Sequence, residues 1–485
     1  MTYSDLYVIF PLVILTVWTC ALLLVDLFIP KGSKGWTALF AALGLLAALA
    51  VSIVQSIQVA ALGHKLPGFS GMVTLDGFSI LMTILVLCTA LLGIALSYDY
   101  LKRMGLERGE YYALLMFTSL GMMLMSQAAD LIVVFLALEL LSIPLYVLSG
   151  FARPRAESEE AALKYFLLGA FSTGFIVYGI ALTYGATGTT SLVGVLNHLG
   201  GNAANLAMLL IGAGLILIGL GFKVAAVPFH MWTPDVYVGA PSTVVAFMAV
   251  GAKLGGFAAL LRVFITAFPA LGVQLTPVIW ALSALTMVFG NLVALTQTNI
   301  KRFLAYSSIS HAGYILMGLV PYYKAGVSTD GVAASLFYLV AYAFTNFTAW
   351  AVVIAMEKAE GQGLTLDDYA GLGKKYPGLA AAMAIAMFSF TGVPPTVGFI
   401  GKFYIFRTAL EGGYIGLALI GVFTSVISAY YYLRVVVTMY MREGDPQARS
   451  EPLLNIATAV TAVGTLVMIV FSQPLFAWVT QAIIR

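Results

Sequence analysis

The sequence predicts an all-α polytopic membrane protein of about 14 transmembrane helices, forming a single integral membrane domain over residues 1–485. Three observations predict it. Hydrophobic residues make up 61% of the chain and charged residues 9%, where a soluble domain carries roughly 25% charged residues. The apolar residues fall in runs of about 20, the length a helix needs to cross the hydrocarbon core. Short turns separate the runs, so they form one bundle and not a set of domains. So few charges cannot cover a soluble surface, and the apolar content is too high for a disordered chain. Two cysteines, Cys20 and Cys88, fall short of a disulfide framework or of the four ligands usual for an iron–sulfur or zinc site, so neither a metal nor a cofactor site is expected. The net charge of +3 gives no sign of a nucleic-acid partner. The expected surroundings are a lipid bilayer.

The fourteen runs lie near 7–29, 36–60, 77–98, 111–127, 130–151, 161–186, 204–232, 243–268, 274–297, 303–321, 331–356, 377–409, 412–440 and 453–479. Met1 to Leu6 has no basic stretch and no cleavage site, so the first run is read as a retained helix and not as a signal peptide. Orientation follows from Lys and Arg. One set of loops holds fourteen of the 24, among them Lys31, Lys34, Arg155, Lys301 and Arg302. The other holds five: Lys65, Arg262, Lys324, Arg407 and Arg485. This ratio places both termini outside the cell. The remaining five, Lys164, Lys223, Lys253, Lys402 and Arg434, fall inside predicted helices.

Those buried charges are the first functional signal. A Lys or Asp near mid-bilayer costs about 2.5–3.5 kcal/mol, so four lysines facing lipid would cost roughly 10 kcal/mol. Packing alone is better served by leucine. Arg434, near a span end, is read as snorkelling to the interface. Lys164 is only a few residues into its span, and both readings stand. Lys223, Lys253 and Lys402 lie well inside apolar runs and read as functional. Among the acids, Glu139 sits mid-span in Leu136-Ala-Leu-Glu-Leu-Leu-Ser-Ile-Pro144, whereas Asp26 and Asp130 are near span ends. Glu139 alone in lipid would protonate. Lys164 on the next span is the expected ion-pair partner. Burial makes an ammonium easier to deprotonate and a nearby carboxylate makes it harder, so moving the carboxylate's partner can load or empty a lysine. Lysines spaced along a bundle and joined by water and histidine form a relay. His230 and His311 fit as intermediates, against the bland reading of a hydrogen-bonded structural histidine.

Two runs carry prolines at membrane depth: Gly221-Phe-Lys223-Val-Ala-Ala-Val-Pro228-Phe-His230 in span seven, and Thr391-Gly-Val-Pro394-Pro395-Thr-Val-Gly398-Phe-Ile-Gly401-Lys402 in span twelve. Proline removes a helical hydrogen bond and frees a carbonyl. Freed groups persist in a membrane only against protein or water. Two interrupted helices, each with a lysine, predict an inverted-repeat transporter core, spans four to eight (111–268) against nine to thirteen (274–440). Pro144, five residues past Glu139, predicts a similar bend in span five. Gly212-Ala-Gly214 and Gly371-Leu-Gly373-Lys374-Lys375 lack the rest of a dinucleotide or Walker pattern. No metal-spaced histidine pair and no Ser–His–Asp set is present. The chain therefore has no parts for redox chemistry or ATP hydrolysis, and energy for pumping must come from a partner or another ion gradient.

Two strings carry a family resemblance. Lys223-Val-Ala-Ala-Val-Pro-Phe-His-Met-Trp-Thr-Pro-Asp-Val-Tyr-Val-Gly-Ala-Pro241 resembles the span-seven signature of the antiporter-like subunits of respiratory complex I. Thr296-Gln-Thr-Asn-Ile-Lys-Arg-Phe-Leu-Ala-Tyr-Ser-Ser-Ile-Ser-His-Ala-Gly-Tyr314 resembles their loop before span ten. Cation/proton antiporter subunits share both. The wording Trp232-Thr-Pro-Asp-Val-Tyr237, Asp368-Tyr-Ala-Gly-Leu372 and Gly398-Phe-Ile-Gly-Lys402-Phe-Tyr is most similar to the subunit N group. Subunit M typically has a glutamate in place of Lys402, and subunit L is longer. The resemblance implies roles by residue. Glu139 and Lys164 match the modulating pair, Lys223 the central lysine, Lys253 the bridging lysine and Lys402 the terminal lysine near the outward half-channel. It implies a bacterial plasma membrane protein without flavin, iron–sulfur cluster or quinone of its own. Partners would be subunit M and the small subunits K, J, A and H. Other subunits would oxidise NADH or another donor and reduce quinone. The alternatives are a subunit of a multi-protein sodium/proton antiporter, a membrane-arm scaffold whose lysines no longer pump, and, least favoured, a quinone-binding enzyme.

Overall fold

The structure is a computed structural model and describes residues 2–199, 205–323, 330–358 and 361–484. Lys324 and Arg485, counted above for orientation, lie outside these residues. The chain opens with α1 (Tyr3–Val8), α2 (Phe10–Asp26), α3 (Gly35–Leu62), α4 (Gly77–Arg103), α5 (Glu110–Gln127), α6 (Leu131–Ser149), α7 (Ala156–Thr187) and the short α8 (Leu192–Leu199). Next come α9 (Leu206–Val224), α10 (Trp232–Gly239), α11 (Ser242–Thr266), α12 (Gly272–Ala294), α13 (Ile300–Met317) and α14 (Asp330–Met356). The last are α15 (Leu372–Lys375), α16 (Pro377–Thr391), α17 (Val397–Glu411), α18 (Ile415–Met441), α19 (Pro452–Val467) and α20 (Ser472–Ile484). One small hairpin, β1 (Leu66–Gly68) with β2 (Val73–Leu75), pairs antiparallel in the α3–α4 loop.

Among the described residues, ten helices are long and apolar enough to cross a membrane, or eleven if the bent pair α19–α20 is one span. The protein is a multi-pass helical membrane protein. The last predicted run, 453–479, is not one straight helix: it bends by 89° between α19 and α20, where Pro474 restarts the chain as a second helix. Span five also differs from expectation. α6 runs unbroken through Pro144.

Helix α11 is the centre of the bundle, and α13 and α14 pack with it, buried over most of their length. With no lipid-facing side, α11 needs small residues for close approach. A Cβ on Gly256 would lie 2.9 Å from Val224 Cγ1 and 3.4 Å from Lys223 Cβ, so this glycine sets α11 against the end of α9. Helices α3, α7, α12 and α18 form the rim, with apolar side chains such as Phe171, Leu285 and Phe423 facing outward.

The charges tie the helix ends together. Asp76 caps α4, accepting from Ser79 N at 2.8 Å. Arg262 grips the same carboxylate with both terminal nitrogens, donates to the Ser126 carbonyl at 2.6 Å and stacks over Phe78. Two of the basic residues counted for orientation lie inside helices near the bundle core. Arg262 lies in α11, and Lys301 lies in the first turn of α13 with its side chain buried. The Asn299 side chain caps α13 by accepting from Lys301 N and Arg302 N. That cap sends the Lys301 side chain inward. Arg434, predicted to snorkel, donates to the carbonyls of Leu295 and Gln297 near a helix end.

Candidate functional site

Both proline-bearing segments interrupt their helices. α9 ends at Val224, with Ala225 in the left-handed region (φ 62°), and helix resumes at Trp232. The break leaves carbonyls without helical donors. Side chains take them up: the Trp232 indole donates to Phe222 O at 2.9 Å, and the Lys253 ammonium donates to Val224 O at 3.0 Å. Thr286 Oγ1 accepts from Val227 N at 2.9 Å. At the second break α16 ends at Thr391 and α17 starts at Val397. Gly392 takes φ 88°, and a Cβ there would lie 2.9 Å from Lys402 Cδ, so backbone and space both call for glycine. The Lys402 ammonium donates to Thr391 O at 3.0 Å. Each break thus presents the C-terminal carbonyls of a half-helix to a lysine. A helix C-terminus favours a cation, and the freed carbonyl supplies a hydrogen bond.

The three mid-membrane lysines are buried: Lys223 is 2%, Lys253 3% and Lys402 4% exposed. Lys223 Nζ lies 3.4 Å from Tyr165 Oη and over the rings of Tyr165 and Tyr146. Tyr165 stacks on Trp232 at 4.4 Å. Glu139, half-buried on α6, is close enough to act electrostatically on Lys223. Lys402 also donates to Ser425 Oγ at 3.1 Å, and its ammonium lies 4.7 Å from the centre of the Tyr314 ring. Ser425 donates in turn to Tyr314 Oη.

His311 stands between the two ends. It is buried, with Nδ1 2.7 Å from Tyr338 Oη and Nε2 3.0 Å from Tyr432 Oη. Both Lys253 and Lys402 act on it electrostatically. A second hydroxyl path comes from the α10 side, where Ser308 Oγ accepts from Tyr342 Oη at 2.9 Å and lies 3.4 Å from Tyr237 Oη. The Tyr342 ring packs against His311. Polar groups therefore run across the buried middle from Glu139 and Lys223, past Lys253 and His311, to Lys402. Every group in this row is a carboxylate, amine, imidazole or hydroxyl, each able to take or release a proton.

One sequence expectation is corrected. Glu139 and Lys164 do not pair. The Lys164 ammonium bonds Asp235 of α10 at 2.8 Å and Glu160 at 2.7 Å, and Arg302 of α13 bonds the other Asp235 oxygen at 2.5 Å. Glu139 instead accepts from Thr173 Oγ1 at 2.7 Å. Lys164 precedes Thr173 by nine residues on α7, about 13 Å along the axis at 1.5 Å per residue, which separates the two charges. The double swap Glu139→Lys with Lys164→Glu is therefore expected to recover no more pumping than the better single variant; recovery above both singles would restore the direct pair. His230 stands apart from the hydrogen bonds of the row. Its ring packs on Phe289 and its Nδ1 has no partner among the described residues, and no hydrogen bond joins it to a lysine or to His311.

The tyrosines and serines were missed from sequence. Their signal is visible in retrospect: Ser307, Ser308, Ser310 and His311 crowd one helix of a bundle that is otherwise aliphatic.

Comparison with known proteins places this geometry. Residues 128–428 match the family model described as the NADH:quinone oxidoreductase/Mrp antiporter transmembrane family. NADH-quinone oxidoreductase subunit N of Trichlorobacter lovleyi is 47% identical, the match covering 99% of this chain and 97% of the relative. Subunit N of Chloroflexus aggregans is 48% identical over the same shares. A chain of respiratory complex I from Thermus thermophilus, solved with bound aureothin, superposes with a TM-score of 0.81 at 36% identity, covering 97% of this chain and all of that one. A chain of the Mrp complex from Dietzia superposes with a TM-score of 0.87 at 21% identity, over 99% of this chain and 97% of that one, which shows a common fold. By this model match and these full-length relatives, the chain belongs to the NADH:quinone oxidoreductase/Mrp antiporter transmembrane family, within its subunit N group.

Proposed function

We propose that this chain is a proton-translocating membrane-arm subunit of an NADH-quinone oxidoreductase, moving protons along the buried row that links Lys223, Lys253, His311 and Lys402. The observation that carries the reading is the pair of broken helices, each with its last carbonyl accepting a hydrogen bond from a buried lysine. A purely structural bundle has no use for three buried ammonium groups that leucine could replace. Glu139 is the modulating charge beside Lys223, and Lys164 acts through Asp235 on the position of α10. The chain carries no redox group; flavin, iron–sulfur clusters and quinone belong to partner subunits, with NADH or another donor supplying electrons. A neighbouring antiporter-like subunit M and the small subunits K, J, A and H are the membrane-arm partners.

The finer architecture belongs to the same proposal. The helices that pass the length test, with α2, α5, the broken α16–α17 and α19–α20, make fourteen crossings. Residues 111–268 and 274–440 form the two repeat halves, each holding one proline-broken helix. Both termini lie outside a bacterial plasma membrane.

A tagged chain, extracted from native membranes in mild detergent, tests the proposal. Addition of NADH is expected to develop reduced iron–sulfur signals in the electron paramagnetic resonance spectrum of the purified assembly. Co-purification with antiporter partners and no redox centres would overturn it.

A further inference from the structure

The end of the bundle near α10 holds a charged site outside the lysine row. Glu357 follows the last residue of α14 and is 1% exposed, and neither carboxyl oxygen has a hydrogen-bond partner among the described residues. Lys301, 2% exposed, donates to Ala240 O at 2.7 Å just past the end of α10 and is electrostatically coupled to Glu357. The hydroxyls of Tyr100 and Tyr369 also face this carboxylate electrostatically, and Arg155 acts on Lys301 and Tyr100. Tyr100 is near enough for its hydroxyl to share a hydrogen bond with Glu357, but no ion pair joins the carboxylate among the described residues, and a buried carboxylate without one is among the costlier groups a protein can hold. Leucine at this helix end would cost less.

The same face of α14 continues the pattern inward. Trp350 Nε1 and Asn346 Nδ2 are buried and have no partner among the described residues. Positions 342, 346, 350 and 357 fall within about 80° of one another on a helix of 3.6 residues per turn. They span about 22 Å at 1.5 Å per residue. The stripe ends at Tyr342, whose hydroxyl donates to Ser308 and whose ring packs on His311. Trp350 packs on Tyr237, which reaches the same Ser308. Buried polar atoms without protein partners bond to ordered water. Three such side chains, Glu357, Trp350 and Asn346, stand in register along one helix face.

The chain neighbours of Glu357, Met356 and Lys358, line a pocket at the surface. This pocket of about 230 Å³ is also lined by Gly363, Asp367, Asp368 and Asp445. Its Asp445 is ion-paired with Lys375, which holds the carboxyl below the usual carboxylate range, and Lys358 lines the same pocket.

We propose that Glu357 is a proton-carrying residue at the mouth of a second route, which runs along α14 past Trp350 and Asn346 to Tyr342 and His311 and joins the lysine row at its centre without passing Lys223. Each transfer breaks one O–H bond at Glu357 or at a water and forms one at the next oxygen. No oxidant or reductant is needed. Lys301 is a positioning residue, tying the α10 end to the same carboxylate. The inference rests on the reading of this chain as a proton translocator.

The test uses the whole assembled oxidoreductase in inverted membrane vesicles, with protons pumped per NADH oxidised as the readout. Glu357→Gln keeps the shape and removes the exchangeable proton. It is expected to lower the ratio at least twofold, with Glu357→Asp restoring it. Asn346→Leu changes no charge and blocks the stripe, and is expected to lower the ratio similarly, which keeps the test decisive should Glu357→Gln fail to assemble. Normal pumping by Asn346→Leu, or by assembled Glu357→Gln, overturns the route. Lys223→Ala serves as the reference. If it lowers pumping while the α14 variants do not, only this route fails; if it too pumps normally, the translocator reading fails with it.

Discussion

Lys223→Ala is expected to leave assembly and NADH-driven cluster reduction intact while lowering proton pumping through this chain at least about tenfold, which corresponds to about 1.4 kcal/mol in barrier height. The expectation follows from geometry. Lys223 is the one buried amine between Glu139 and the broken end of α9, and aromatic rings of Tyr146 and Tyr165 line it. Those contacts stabilise an ammonium by about 0.5–2 kcal/mol, less than the cost of placing it at mid-depth. Removing the charge therefore costs little stability and takes away the base that, among the described residues, stands at that point in the row. Proton-pumping assays in inverted vesicles, set beside native-gel assembly, separate the two effects. Full pumping by assembled Lys223→Ala would sink the relay, and loss of assembly alone would favour a scaffold.

Arg262→Leu has the largest expected effect on stability. Asp76 and Arg262 are both buried and share two hydrogen bonds. Removing the guanidinium leaves a buried carboxylate uncompensated, at a cost of about 3–5 kcal/mol. The companion variant Asp76→Ser with Arg262→Leu keeps an oxygen to cap α4 and removes both charges. It is expected to recover most of the loss, because replacing a buried ion pair by uncharged groups is often nearly neutral. Thermal unfolding of the detergent-solubilised protein measures both. Equal destabilisation of the single and double variants would show that the pair's charges are not what matters there.

The parts of the site legible in the sequence are those with a local cause. Lys223, Lys253 and Lys402 stand out because a charge inside an apolar run is costly wherever the helix points. The two breaks are legible because proline lacks an N–H whatever surrounds it. The partners of these groups were not legible. Lys164 was paired with Glu139 because adjacent spans tend to touch, yet its carboxylate is Asp235, 71 residues on, brought back by the break that starts α10. The Tyr342–Ser308 and His311–Tyr432 contacts join residues 34 and 121 apart. Helices this apolar all round carry little information about which face turns inward. Lys301 was read as a loop lysine because it follows Thr298-Asn299, and only the cap at Asn299 together with the approach of Ala240 turns it into the core.

Composition and local covalent chemistry thus determined that this chain is a membrane bundle with three buried lysines and two interrupted helices, since apolar length, the cost of a buried charge and the missing proline N–H act within a few residues. Which carboxylate meets which ammonium, that Lys253 and Lys402 each cap a freed carbonyl, and that the Tyr338 and Tyr432 hydroxyls bracket His311 were decided by the rotation and depth of packed helices. Those are set by close approach at positions such as Gly256, where one missing Cβ lets α11 reach α9.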